Sequence, residues 1–321
     1  MSYKVSVIIP VYGAEKYIER CARSLFGQTL REVEYIFVDD CTTDRSMDVL
    51  RRVMADYPQR QPDIRLLRTP KNSGQALARR IGMKAAKGEY MIHCDPDDWV
   101  DACYYESLYI RASEAQADIC QGAIIYHNVD SSFRRPCQHY SGPGMKAMLE
   151  GKYYWSLCMQ LVRLSLVERY CIYPFEGINS GEDVNVVMRA YAVADKVTSV
   201  EDDTVCYHYD LTNPQSITKS RHSEMLERYF IPNALKLDDF FSAYGNEGRE
   251  VVLSYKARAK GALLYNRETR DIDRWYSVWP EVTGYYQRHP EIYGKLSRIV
   301  PIAAHCHLLL KLYFKYIDLK S

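Results

Sequence analysis

A chain of 321 residues, 47% of them hydrophobic, is long enough to bury a sizeable core, in one large domain or in a large domain with a smaller companion. Its 42 basic and 41 acidic residues leave a formal charge of +1, without the global positive field that nucleic-acid binders carry, so no nucleic acid partner is expected. Ten cysteines lie scattered with no C-x-x-C pair and no stretch reaches 18 uninterrupted apolar residues, which disfavours zinc, disulfides and a membrane span and leads us to expect a cytoplasmic protein.

A β-branched run at 4–11, KVSVIIPV, predicts a strand buried on both faces. The following AEKYIERCARSLFGQ spaces Tyr17, Ile18, Cys21, Ala22 and Leu25 as one face of a helix, with Gly27 as its stop. The rhythm repeats as a strand at 33–38 and a helix at about 44–57, with Met47, Leu50, Val53, Met54 and Tyr57 on one side. A strand at 64–68, a helix at about 74–86 and a strand at 89–94 continue it. Such alternation predicts an α/β fold, a mostly parallel sheet flanked by helices, with its ligand crevice beyond the carboxyl ends of the strands. From about 118 to 217 the pattern is mixed, with one strand expected at 118–126, and beyond 218 the chain reads as mostly helical. A main domain over 1–217 and a C-terminal helical extension over 218–321, on the acceptor side or in contact with another subunit or a membrane surface, are expected.

The crevice rule sorts the carboxylates. Asp39 and Asp40 end the second strand, and HCDPDDWVD at 93–101 ends the fourth with Asp95, Asp97, Asp98 and Asp101 gathered beside an apolar run. Mutual repulsion disfavours such a cluster unless a cation sits among the carboxylates, and oxygen donors at a strand end suit Mg2+ or Mn2+, which also take phosphate oxygens. The plainer alternative is that Asp98 or Asp101 caps the helix starting near Tyr104. FVDDCTTDRS at 37–46 puts a second carboxylate pair at a strand mouth, able to accept from a nucleobase N–H or a ribose hydroxyl. Its alternative is a turn, with Asp44 capping the next helix. NSGQALARRIG at 72–82 leads from a glycine turn into a helix carrying Arg79 and Arg80, a combination that favours phosphate.

The segments SVIIPVYG, QT, VDDCTTD, NSGQALARRIG, GEYMIHCDPDDW and SGEDV occur in the order and rough spacing of the family 2 nucleotide-sugar glycosyltransferases, and residues 4–217 resemble that family, whose Rossmann-like fold is called GT-A. The resemblance implies transfer of a sugar from a nucleoside diphosphate donor, a UDP-sugar, to an acceptor hydroxyl with inversion, with Mn2+ or Mg2+ as cofactor. It implies nucleotide-sugar contacts at Val11, Tyr12, Asp40 (for the uracil), Asn72, Arg79 and Asp95. It further implies a metal ligand at Asp97 with Asp98 beside it, and a general base at Asp183 in NSGEDVNVVMRAY. Read without the resemblance, Asp183 is a helix N-terminal charge of the kind that stabilises the dipole. CYHYDLTNPQSIT at 206–218 resembles the strand and loop that close over the diphosphate. His208 in it is a candidate metal ligand, since imidazole binds Mn2+, although a lone His among tyrosines is more often structural. Gly13, Cys41, Arg80 and Pro96 depart from the residues frequent in the family, and Cys41 puts the shape of the base-binding turn in question.

The segment RIVPIAAHCHLLLKLYFKYIDLK at 298–320 mixes apolar residues with Lys311, Lys315 and Lys320. Packing inside the protein is the first expectation for it, and peripheral contact with the inner face of a membrane the second. The resemblance as a whole implies an inverting, metal-dependent glycosyltransferase of surface polysaccharide assembly, acting on a glycan or lipid-linked glycan acceptor. Two alternatives stay open. A sugar nucleotidyltransferase needs a glycine-rich basic loop where this chain has VYGAEKYIER, and a catalytically silent nucleotide-sugar binder has no need of a base at Asp183.

Overall fold

A computed structural model describes residues 2–214, 222–265, 267, 270–289 and 306–320 of the chain. It contains two compact units, Met1–Ser216 and Ile217–Ser321.

The first unit holds eleven described strands: β1 Val5–Val11, β2 Val33–Asp39, β3 Ile64–Arg68, β4 Tyr90–His93, β5 Trp99–Val100, β6 Ile119–Gln121, β7 Ala123–His127, β8 Ser132–Arg135, β9 Gln160–Arg163, β10 Val197–Ser199 and β11 Cys206–Asp210. Its helices are α1 Ile18–Phe26, α2 Ser46–Ala55, α3 Gln75–Ala85, α4 Tyr104–Glu114, α5 Gly144–Leu149, α6 Leu164–Arg169 and α7 Glu182–Val193. Seven strands form one sheet in the order β10-β6-β9-β4-β1-β2-β3, parallel throughout except for β9, which runs against both its neighbours. The remaining four form a second sheet, β5-β11-β7-β8.

The β-branched runs behave as their composition demands. All seven residues of β1 and of β2 are buried, because helices cover both faces of the sheet. Val5, Val7, Ile9 and Val11 pack into one core with Ile18, Cys21, Ala22 and Leu25 of α1 and Met47, Leu50 and Val53 of α2. On the other face Ile36 and Val38 meet Ala78 of α3. There a Cβ on Gly82 would lie 2.5 Å from the Ile8 side chain, so this glycine is what lets α3 approach β1 so closely. Gly27 caps α1 as its position suggests.

Two local expectations are corrected. The single strand expected at 118–126 breaks at Gly122, and its halves, β6 and β7, belong to different sheets. Gly122 sits against the buried Tyr104, whose hydroxyl oxygen would be 2.4 Å from any Cβ placed there. Neither Asp98 nor Asp101 caps α4: its N-cap is Cys103, without a side-chain cap bond.

The strand order 3-2-1-4 reverses at the β1/β4 pair, and in such sheets the crevice opens at that switch point beyond the carboxyl ends of the strands. The chain segments that emerge there are 12–14, 40–45, 69–74 and 94–98.

The second unit is helical wherever it is described. Its longest helix, Gly245–Tyr265, packs with Ile272–Ser277, Thr283–Arg288 and His307–Lys320 around Leu226, Leu264, Trp275, Tyr286, Leu310 and Phe314.

Candidate active site

The carboxyl end of β2 is tied by hydrogen bonds to the start of α3. Asp40 is only 3% exposed, and its Oδ1 accepts from the Ser73 amide at 3.0 Å and the Thr69 hydroxyl at 2.7 Å while Oδ2 accepts from the Gly74 amide at 2.7 Å. A carboxylate so engaged shapes the loop that leads into α3. Asp39 turns to the Thr42 amide, and Cys41 between these turns has φ 55°, in the left-handed region where a side chain costs about 1–2 kcal/mol. That explains why glycine is frequent at this position in the family the motifs resemble. Val11 is buried at the end of β1, Tyr12 beyond it is 52% exposed, and Asn72 is exposed on the loop before α3.

The N-terminus of α3 is satisfied from a distant segment. Asn179 accepts from the Ala76 amide at 3.2 Å and donates to the Ser73 carbonyl at 3.1 Å. With Asp40 on Ser73 and Gly74, the amides of Ser73, Gly74 and Ala76 at the entry to α3 are therefore held by protein groups. Gly74 makes this possible: at φ 86° it brings the backbone so close that a Cβ would lie 2.3 Å from the Asn179 side chain.

Asp95, Asp97 and Asp98 follow β4 and take separate partners. Asp98 is buried, its Oδ2 accepting from the Tyr207 hydroxyl at 2.5 Å and its Oδ1 from the Asp210 amide at 2.8 Å. It pins the turn to β11, beside Asp97. Asp97 accepts from the Asn213 amide group at 2.8 Å. Burial, and then the charge of Asp95, push the Asp97 carboxyl above its ordinary range. Asp95 accepts from Arg79 Nη2 at 2.7 Å.

Arg79 connects this turn to α7. Its Nε lies 3.2 Å from Glu182 Oε1, and both side chains are buried. Burial works against the guanidinium charge, but Asp95 and Glu182 outweigh it and hold the group well above its ordinary value. Arg79 Nη1 and Glu182 Oε2 have no protein partner, two buried polar atoms at the heart of the cluster. Gly181, at φ 72°, turns the chain into α7, whose first turn carries Glu182 and Asp183. Asp183 keeps part of its surface open, and its Oδ1 accepts from the Val184 amide at 2.8 Å. Burial first and Glu182 second push its carboxyl up to about 7, against the opposing pull of Arg79.

His208 lies elsewhere, on β11 of the second sheet. Its Nε2 is 2.9 Å from Asp101, its Nδ1 is 2.9 Å from His127, and its ring stacks on Trp99 at 5.0 Å. Both ring nitrogens are thus engaged by protein groups. Arg20 covers the other side of this stack, 3.7 Å from the Trp99 ring, and binds the Asp97 carbonyl and Asp210. The part of the diphosphate-closing loop at 215–218 lies outside the described residues.

Among the described residues no three His, Cys, Asp or Glu side chains converge as a metal cage. What remains at the crevice is an all-oxygen pair, Asp95 and Asp97, two residues apart, the charge of Asp95 adding to burial in pushing the Asp97 carboxyl up, with Arg79 as the cation at hand. That donor set fits a hard divalent ion, whose remaining positions water and phosphate oxygens normally fill. The residues missed by reading the sequence are Asn179, Tyr207, Asp210, Asn213, Arg20 and Glu182 as the partner of Arg79. Each acts across a long stretch of chain, and only SGED at 180–183 gave a local signal, a charged helix start.

The model of glycosyl transferase family 2 matches residues 6–170. The uncharacterized glycosyltransferase EpsJ of Bacillus subtilis (strain 168) is 30% identical over 253 residues, 76% of this chain and 71% of that protein. A poly(ribitol-phosphate) beta-glucosyltransferase of Bacillus spizizenii is 31% identical over 206 residues, 62% of this chain and 31% of the relative. Among solved structures, S. aureus TarS 1–349 in complex with UDP-GlcNAc superimposes with a TM-score of 0.71 at 19% identity, covering 97% of this chain and 92% of that one. Family model, relatives and architecture agree with the six ordered motifs, and the chain belongs to glycosyl transferase family 2: it is a glycosyltransferase of the GT-A fold.

Proposed function

We propose that the protein transfers a sugar from a nucleoside diphosphate donor, a UDP-sugar, to a hydroxyl of a glycan or lipid-linked glycan, with inversion, in surface polysaccharide assembly at the cytoplasmic side. The observation that carries this reading is the chain Asp95–Arg79–Glu182, which ties the acidic turn to the helix start that bears Asp183. UDP-GlcNAc in the TarS complex supports the donor class, and the poly(ribitol-phosphate) relative supports a polymer acceptor.

In this reading the Asp183 carboxylate takes the proton of the acceptor hydroxyl as its oxygen bonds to the anomeric carbon. The bond from that carbon to the diphosphate breaks on the opposite face, and the diphosphate leaves with the electron pair. A divalent ion of the Mn2+ or Mg2+ class, held by Asp97 and Asp95, supplies charge compensation for that leaving group when bound. Arg79 holds Asp95 in place, Asp40 shapes the loop bearing Asn72, and Val11 with Tyr12 forms the lip at which the base would rest. No helix among the described residues is long and apolar enough to cross a membrane, which suits access to a donor in solution.

The test is a panel of nucleotide sugars with Mn2+ or Mg2+, read as nucleoside diphosphate release, for the parent and for Asp183→Asn. Release that depends on one donor and on Asp183 supports the reading. Equal release by both proteins would overturn the role of Asp183, and no metal-dependent release from any donor would overturn the donor class.

A further inference from the structure

The helix His307–Lys320 has two unlike faces. Leu310 and Phe314 are buried in the core of the helical unit, beside Trp275 and Tyr286, which meets the expectation of packing. On the other side Leu308, Leu309, Leu312, Tyr316 and Leu319 are between 41% and 79% exposed. At 3.6 residues per turn these five fall within about a third of the helix circumference. Lys311 and Lys315, both exposed, border one edge of that arc, Lys311 with its Nζ 2.7 Å from Asp273 and Lys315 at the flank of the leucines. The one carboxylate of the helix, Asp318, is drawn away from it by Arg270 at 2.7 Å. The outward face is thus apolar, with no acid of its own helix on it and with Lys315 as the cation at its edge, Lys311 being paired with Asp273.

We propose that this face lies in the headgroup region of an anionic lipid bilayer, with the helix parallel to the surface. Charge complementarity favours that occupant, since Lys315 reaches phosphates while the leucines enter the acyl boundary. Tyr316 suits the same boundary, its ring apolar and its hydroxyl wet. Size argues against a second copy of the chain. A helix of 14 residues is about 21 Å long and about 10 Å wide, a footprint of roughly 200 Å2, against the roughly 800 Å2 per partner of a stable interface. Its length is also short of the roughly 30 Å needed to span hydrocarbon, so it lies on the bilayer and does not cross it. The surface goes beyond the reading of the catalytic site and does not depend on it.

The experiment is co-sedimentation of the full chain with phosphatidylcholine vesicles, with and without phosphatidylglycerol, at low and high salt. The chain is expected to pellet with the anionic vesicles and to be released in part by salt. Leu312→Glu with Leu319→Glu should weaken binding about a hundredfold. Lys315→Gln should weaken it about fivefold, on anionic vesicles alone. Melting temperature and nucleoside diphosphate release without vesicles should be unchanged in both variants, which separates this proposal from the reading of the active site. Failure of the parent to bind vesicles overturns the proposal, as does binding that survives the double leucine substitution. A parent dimer that the double substitution dissociates would also overturn it and assign the face to a second copy.

Discussion

Arg79 and Glu182 form an ion pair with Nε 3.2 Å from Oε1, both buried, although 103 residues separate them in the chain. Removing one member of a buried pair strands the other charge, so Arg79→Met is expected to lower the unfolding free energy by about 3–5 kcal/mol. A denaturant melt measures it. Adding Glu182→Gln should recover part of the loss, and a single variant as stable as the parent would mean that the pair contributes nothing.

The Asp183 carboxyl, pushed up to about 7, must be ionised to take a proton, so transfer should rise with pH through neutrality. Glu182→Gln removes the adjacent negative charge and should move this limb of the pH–rate profile to lower pH. Asp183→Asn should remove the limb and cut single-turnover transfer by roughly 10²–10⁴-fold. For stability the sign is reversed. A carboxyl whose folded pKa is raised contributes stability that is full below its unfolded value, near 4, and lost as pH rises through about 7. Asp183→Asn should therefore flatten melting temperature against pH across this window.

Asp97 and Asp98 are adjacent but should fail differently. Asp98→Ala leaves the buried Tyr207 hydroxyl and the Asp210 amide without an acceptor and should cost about 1–3 kcal/mol for each, seen as a lower melt. Asp97→Ala should spare the melt and abolish the divalent-dependent part of UDP binding measured by calorimetry. Loss of that part in Asp98→Ala alone would reverse the assignment.

Asp40 offers a test of direct against indirect recognition. Asp40→Ala frees the Thr69 hydroxyl and the Ser73 and Gly74 amides, so the loop before α3 should loosen and stability fall by about 1.5–3 kcal/mol. UDP and inorganic pyrophosphate should then lose affinity together. A loss confined to UDP would show that Asp40 meets the base itself.

The alternation of strand and helix through the first four strands was legible because burial on both faces leaves a continuous run such as VSVIIPV, and each covering helix must repeat its apolar residues at the helical period. The motifs at Asp95, Asp97 and Glu182-Asp183 were legible because closely spaced carboxylates repel one another and need a reason to persist. Cys41 could be singled out as an odd residue in its turn, but its φ of 55° could not be read from its neighbours. The tertiary structure alone decided how the acids divide their work. Asp98 goes to Tyr207, 109 residues away, Asp40 to an amide 34 residues on, and the cap of α3 comes from Asn179, 103 residues beyond Ala76. In the same way the two halves of one apolar run part at Gly122 into two sheets, where Tyr104 leaves no room for a side chain. Periodicity records which residues must leave water, a local requirement that each segment meets by itself. Hydrogen-bond partners are chosen by whichever groups the folded chain brings within about 3 Å, and spacing along the sequence carries no trace of that choice.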